Sequence, residues 1–208
     1  DSRGNIWFAT NNGVSRWNVS TNSWRTYYKD GRDQAQVFLS LCEDEDGNIW
    51  AGTFSSGVYI FDGDSGREIA HYSSQDGFSS LTNDYIFDIF KDSNGDLWLG
   101  SPLGQPFRYI KREHRFMAYP FQPVYAITGL SPDNILLACT YGLLMMDIHT
   151  GQTQTILDGY LLHDLIVAED NVWMATSGDG LVRYNLKDKT VEKSTTNEGL
   201  LSNYVNSI

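Results

Sequence analysis

The sequence predicts an all-β fold, a β-propeller of four-stranded antiparallel blades. Three observations predict it: a segment that recurs five times, tight turns at matching places in the copies, and the absence of any capped window with a sustained 3.6-residue apolar period. The segment Gly4-Asn-Ile-Trp-Phe-Ala-Thr10 returns as Gly47-Asn-Ile-Trp-Ala-Gly-Thr53 and Gly95-Asp-Leu-Trp-Leu-Gly-Ser101. Weaker copies are Asn134-Ile-Leu-Leu-Ala-Cys-Thr140 and Asp170-Asn-Val-Trp-Met-Ala-Thr176. The hydroxyl residues at 10, 53, 101, 140 and 176 are 43, 48, 39 and 36 residues apart, which gives five units of about 42 residues. Four antiparallel strands repeating at that period are the pattern of propeller blades.

Within a unit the first strand is an apolar run, such as Val37-Phe-Leu-Ser-Leu-Cys42, Tyr85-Ile-Phe-Asp-Ile-Phe90 or Val124-Tyr-Ala-Ile-Thr128. It ends in a turn, Asp44-Glu-Asp-Gly-Asn48 or Asp92-Ser-Asn-Gly-Asp96, in which Asp opens the turn and Gly supplies positive φ. The second strand carries the recurring Trp. The third follows a Gly, as in Gly57-Val-Tyr-Ile-Phe61 and Gly180-Leu-Val-Arg-Tyr184. A further turn, Asp62-Gly-Asp-Ser-Gly66 or Asp147-Ile-His-Thr-Gly151, leads to a polar fourth strand such as Arg67-Glu-Ile-Ala-His-Tyr72. Repeats four and five have shorter first turns, Pro132-Asp-Asn134 and Glu169-Asp-Asn171, and repeat four is expected to carry Leu137 in place of Trp.

Composition agrees and excludes several function classes. The 208 residues carry 26 acidic and 15 basic side chains, a formal charge of −11, which argues against a nucleic-acid partner. Hydrophobic residues make up 41% and aromatics 13%, enough for a packed core and favourable to sheets. No apolar run approaches the roughly 20 residues that span a bilayer. The chain starts at Asp1 with no signal peptide, which points to a processed product or an excerpt. Cys42 and Cys139 lie in apolar runs and read as buried hydrophobes rather than a disulfide or zinc ligands.

Asp1-x-x-Gly4-Asn-Ile-Trp-Phe-Ala-Thr10-x-x-Gly13-Val, together with Gly199-Leu-Leu-Ser-Asn-Tyr-Val-Asn-Ser-Ile208, resembles the two-component-regulator propeller repeat. The resemblance covers essentially the whole chain and is clearest in repeats one to three. It implies the periplasmic sensor region of a hybrid two-component system, tethered to the inner membrane, with histidine kinase activity carried elsewhere in the receptor. It also implies a response to oligosaccharides and a larger propeller array, with neighbouring propeller or β-domains, and a homodimer among the expected partners. No cofactor and no metal is expected. The tail Tyr204-Val-Asn-Ser-Ile208 aligns with the first strand Tyr85-Ile-Phe-Asp-Ile89. The two termini are therefore expected to complete one blade of a single domain spanning residues 1–208, in a five-bladed ring or an arc of a larger one.

Strand alternation puts the loop after each hydroxyl residue and the loop before each first strand on one face. Asn11, Phe54, Leu103 and Tyr141 follow the hydroxyls; Gln36, Asn83, Tyr85, His163, Asn203 and Tyr204 lie near first-strand starts. Aromatic rings stack on sugar C–H faces and amides bond hydroxyls, so the set of Asn11, Phe54, Asn83, Tyr85, Tyr141, His163, Asn203 and Tyr204 is the expected ligand or partner surface. Taken singly, each residue also fits a core-capping or turn-satisfying role. Trp7, Trp50, Trp98 and Trp173 are expected to pack between blades, and Trp17 and Trp24 to lie on half-buried blade surface.

Other chemistries fit less well. Asp44-x-Asp46-Gly and Asp92-x-Asn94-Gly-Asp96 resemble the opening of a calcium loop, but no glutamate closes it at the twelfth position. A sialidase box would place its Asp two residues before the Gly, whereas here the spacing is three, and no arginine cluster accompanies it. Quinoprotein turns match only at Asp147–Gly151. His163 and Asp164 are adjacent on a strand and point to opposite sides, so they form no acid–base dyad. The reading is a non-catalytic ligand sensor. The alternatives are a glycan-processing propeller enzyme (lyase or hydrolase) and an architectural protein-interaction propeller.

Overall fold

The computed structural model describes residues 1–27, 37–75 and 81–208. They form five antiparallel sheets whose strands follow one another in chain order, as the repeat requires. Blade 1 holds β1 (Asn5–Thr10), β2 (Gly13–Asn18) and β3 (Ser23–Tyr27); blade 2 holds β4 (Phe38–Glu43), β5 (Ile49–Thr53), β6 (Val58–Phe61) and β7 (Glu68–Tyr72). Blade 3 comprises β8 (Asp88–Lys91), β9 (Leu97–Gly100), β10 (Phe107–Ile110) and β11 (Arg115–Ala118). Blade 4 comprises β12 (Val124–Ser131), β13 (Asn134–Cys139), β14 (Gly142–Asp147) and β15 (Thr153–Asp158). Blade 5 comprises β16 (Leu162–Ala168), β17 (Asn171–Thr176), β18 (Leu181–Asn185) and β19 (Val191–Ser194). The first sheet has three strands rather than the expected four among the described residues, and β1 is its edge. The chain divides into two compact units, Asp1–Pro120 with blades 1 to 3 and Phe121–Ile208 with blades 4 and 5.

Sheets pack face to face inside each unit because every second residue of a strand points the same way. Between blades 1 and 2, Trp7, Ala9, Val14 and Tyr27 meet Phe38, Ile49, Ala51, Tyr59 and Phe61. Between blades 2 and 3, Trp50, Val58 and Ile60 meet Ile86, Ile89, Leu97, Leu99, Phe107 and Tyr109. In the second unit Leu136, Ala138 and Leu143 meet Leu162, Leu165, Val172, Met174 and Val182. Each fully buried side chain in these seams contributes about 1.5–3 kcal/mol.

Ladder register corrects the alignment of repeat four. Cys139 pairs with Gly142 as Thr10 pairs with Gly13, and Asn134 pairs with Asp147 as Asn5 pairs with Asn18. Leu136, not Leu137, therefore stands in the Trp position, and Cys139, not Thr140, stands in the hydroxyl position. The sequence suggested the other register because Thr140 follows Cys139 directly and two leucines adjoin. A two-residue loop between Cys139 and Gly142 decides it.

Of the repeat tryptophans, Trp50 and Trp98 are buried, while Trp7 and Trp173 are half-buried. Trp24 is 59% exposed, more than the half-buried surface expected of it, and stacks on Trp17 at 5.8 Å with Phe8 beside it at 5.2 Å. Ile6 and Phe8 share that exposed side of blade 1, whereas the equivalent Ile49 and Ala51, Leu97 and Leu99, and Val172 and Met174 are buried.

Candidate functional site

The loop face is built by the hydroxyl residues. Thr10, Thr53 and Thr176 donate their hydroxyls to the carbonyls of Gly13, Gly57 and Gly180 at 2.7, 2.8 and 2.7 Å. The same oxygens accept backbone N–H bonds from Asn12, Ser56 and Asp179, so each hydroxyl closes its own loop. Gly57 and Gly180 have φ of +73° and +76°, and a Cβ there would run into the carbonyl oxygens of Tyr72 and Ser194. In blade 4 sulfur replaces the hydroxyl: Cys139 is fully buried, its thiol turns to the Leu137 carbonyl, and burial pushes its pKa up to about 12.

The closed loop is braced against the run-in to the next first strand. Gly57 N–H donates to the Asp84 carbonyl and Ile86 N–H to the Thr53 carbonyl, both at 2.9 Å. Blade 5 repeats the brace: Gly180 N–H donates to Asn203 and Val205 N–H to Thr176, at 2.8 and 3.0 Å. The side chains below are matched too. Asp84 accepts from the Ser74 backbone and hydroxyl, and the Asn203 amide oxygen accepts from the Thr196 backbone. The chain tail is thus bonded in the manner of the segment that leads into β8, and Ser207 and Ile208 continue it by donating to the Asp164 carboxylate.

In the first unit this brace brings Phe54 and Tyr85 together, edge to face with centroids 5.7 Å apart, and Phe87 joins them at 6.0 Å from Phe54. Phe54 is 48% exposed, so the cluster presents ring surface to solvent. Asn83 sits behind it: its amide oxygen accepts from the Ser101 hydroxyl at 2.8 Å and from Tyr85 N–H at 3.1 Å, while its buried Nδ2 has no partner among the described residues. Asn11 and Leu103 are exposed on their own loops, and Gln36 lies outside the described residues.

In the second unit Tyr141 is 72% exposed and its backbone N–H is held by the Gln122 side chain. His163 packs edge to face against Tyr125 at 5.4 Å. Tyr204, also largely exposed, forms a bridge with Ser177. Asn203 serves the brace through its backbone and side chain, a structural role. The Asp164 carboxylate accepts from the Leu165 backbone, the Ser207 hydroxyl and the Ile208 backbone, so it is engaged by its own strand and the chain tail. Sequence reasoning missed Phe87 and Tyr125. They share one register position with Leu39 and His163, a column that appears once first strands are aligned on Phe38, Ile86, Val124 and Leu162.

The opposite edge of the blades holds the Asp turns, and their carboxylates are committed to the fold. Oδ1 of Asp1, Asp44 and Asp92 accepts two backbone N–H groups of its own turn, and Oδ2 accepts the indole N–H of Trp7, Trp50 and Trp98 at 2.6, 3.0 and 2.9 Å. One side chain therefore fixes both the turn and the Trp six residues on, which accounts for the Asp-x-x-Gly-x-x-Trp spacing. Among the described residues no cluster of three metal-ligating side chains forms.

Residues 31–55 and 80–102 match the family model described as Two component regulator propeller. Over those two segments the chain is similar to the two-component regulator propeller repeat. A relative named Histidine kinase P4, from Formosa agariphila, is 26% identical over 90% of this chain and 15% of its own length. Solved structures show the same fold. The extracellular domain of a B. thetaiotaomicron protein classed as a one component or hybrid two component system aligns with TM-score 0.81 and 15% identity, over 99% of this chain and 28% of its own. A second such extracellular domain from that organism gives 0.82 and 20%, over 96% and 28%. Virginiamycin B lyase from Staphylococcus aureus aligns at 0.71 and 14%, over 93% and 67%, so the fold alone does not separate sensor from enzyme. The chain spans about a seventh of the curated relative and under a third of the two extracellular domains. Among the described residues no helix is long and apolar enough to cross a membrane.

Proposed function

We propose that this chain is the non-catalytic, ligand-sensing part of a periplasmic propeller region in a membrane-anchored hybrid two-component receptor, and that its ligand is an oligosaccharide held on the loop face. The observation that carries the proposal is the solvent-facing Phe54–Tyr85–Phe87 cluster on loops braced by backbone hydrogen bonds. Exposed rings of this kind stack on sugar C–H faces, and a rigid scaffold keeps the platform formed before the ligand arrives. Further support comes from the repeat family and from a relative named as a histidine kinase.

Signalling follows if the ligand binds one arrangement of the receptor more tightly than another, since only differential affinity shifts a conformational equilibrium. The partners of such a shift are a neighbouring propeller or β-domain and a second copy of the receptor.

Incubation with a panel of oligosaccharides, followed by calorimetry and by chromatography of the mixture, tests the reading. Binding with no new product is expected. Appearance of cleaved or unsaturated products would assign the chain to a glycan-processing enzyme, and silence across the panel would leave an architectural propeller.

A further inference from the structure

Three blades place an arginine over the repeat Trp: Arg16 over Trp7 at 5.4 Å, Arg108 over Trp98 at 5.0 Å and Arg183 over Trp173 at 5.7 Å. The charge is then balanced by a carboxylate in two of them. Arg183 lies directly opposite Glu192 on the outer strand and bonds it at 2.6 Å. Arg108 bonds Asp96 at 2.8 Å, with Asp92 at 3.5 Å. In blade 1 the residue opposite Arg16 on the outer strand is Arg25. Like charges facing each other across a ladder are unfavourable, and neither arginine has a carboxylate partner among the described residues.

Arg16 is nonetheless held in place. It lies over the stacked Trp7 and Tyr27 rings, and its Nη1 donates to the Gly63 and Asp64 carbonyls at 2.8 and 2.9 Å. Those bonds leave Nη2 and Nε of Arg16, and the exposed Arg25 fork, for another acceptor. Arg16 and Arg25 line an open groove of about 380 Å³ together with Asn18, Thr21 and Ser23. The side chain of Asp64, whose backbone carbonyl Arg16 bonds, is itself bonded to Arg3 at 2.6 Å.

We propose that this groove binds the carboxylate or sulfate ester of an anionic saccharide, at a site separate from the loop face. The oxyanion takes the place that Glu192 fills in blade 5, bridging Arg16 and Arg25. The groove is larger than a bare oxyanion needs. Asn18 Oδ1 already accepts from Thr21, whose hydroxyl oxygen pairs with Ser23, so the Asn18 amide N–H groups and the remaining hydroxyl lone pairs are what this wall offers the ring that carries the anion. The site does not use Phe54 or Tyr85; only the choice of a saccharide as carrier of the anion rests on the proposed function.

The test is titration of the protein with a sulfated disaccharide, a uronate disaccharide, their neutral counterpart and inorganic sulfate, followed by calorimetry and by NMR of the arginine Nε–H signals. The expected result is movement of the Arg16 and Arg25 signals with an anionic disaccharide and none with the neutral one. Arg25→Gln should weaken that binding about tenfold, the loss of one charge-assisted contact, while Phe54→Ala leaves it unchanged. Arg25→Lys, which keeps the charge but not the fork, should fall between. Equal binding of the neutral disaccharide, equal affinity for inorganic sulfate alone, or unaltered binding by Arg25→Gln would each overturn the proposal.

Discussion

Replacing Trp50 by Ala removes a side chain that is 3% exposed and packs on Tyr109 at 4.6 Å, with Tyr72 and Phe116 at 6.2 and 6.3 Å. An aromatic side chain of this size buries roughly 200 Å², which at about 25 cal/mol per Å² gives about 5 kcal/mol as an upper value. Aromatic-to-Ala changes in cores cost roughly 3–5 kcal/mol, and that is the expected loss here. The indole N–H bond to Asp44 adds little to it, because the same carboxylate oxygen also accepts from Asn48 Nδ2. Trp50→Phe removes that bond together with the part of the indole that a phenyl ring does not fill, and should cost about 1–2 kcal/mol in all. Urea unfolding followed by far-UV circular dichroism is the assay, with a midpoint drop of about 1–2 M for the Ala variant. Leu136→Ala, at the equivalent position of blade 4, should lose roughly 2–5 kcal/mol by the same physics. A loss below about 1 kcal/mol for Trp50→Ala would refute the reasoning that the recurrent Trp holds neighbouring blades together.

Arg108 bridges two carboxylates whose side chains are nearly inaccessible, so Arg108→Ala should destabilise by roughly 3–5 kcal/mol in the same unfolding assay. Burial raises Cys42 to about 11 and Cys139 to about 12, so neither thiol should react with iodoacetamide at pH 8 until the chain is unfolded, as mass spectrometry would report. Those raised values also set a sign: stability from the buried neutral thiols is complete below their ordinary value of 9.0 and falls as pH rises through about 11 and 12, which alkaline unfolding curves would reveal. Asp147 is held below the usual carboxyl range by the Thr150 backbone N–H and hydroxyl, so Thr150→Val should raise its pKa in an NMR titration.

Most of the blade pattern was legible because one column of residues does several jobs. The Trp, the hydroxyl three residues later and the following Gly each have a fixed bond or a fixed φ, so the sequence preserves their spacing. Register in repeat four was not legible, since Cys139 does the work of a threonine by burial and its neighbour Thr140 mimics the motif. The role of the turn aspartates was half legible. Their spacing to Gly announces a turn, but the bond from Asp44 to Trp50 joins residues whose order alone suggests nothing. Of the candidate site residues, Phe54 and Tyr85 meet, whereas Asn203 is spent on the backbone brace, and neither contact could be read from spacing alone. Phe87 and Tyr125 were hidden because a strand aromatic reads as core until its register is known.

The loop-face platform is tested most directly by calorimetric titration of the wild-type chain and of Phe54→Ala/Tyr85→Ala with the oligosaccharide that the panel selects. The account predicts wild-type binding without turnover, and loss of that binding in a double variant that keeps its circular dichroism spectrum and unfolding midpoint. Undiminished binding by the double variant, or conversion of the oligosaccharide by the wild type, would contradict it.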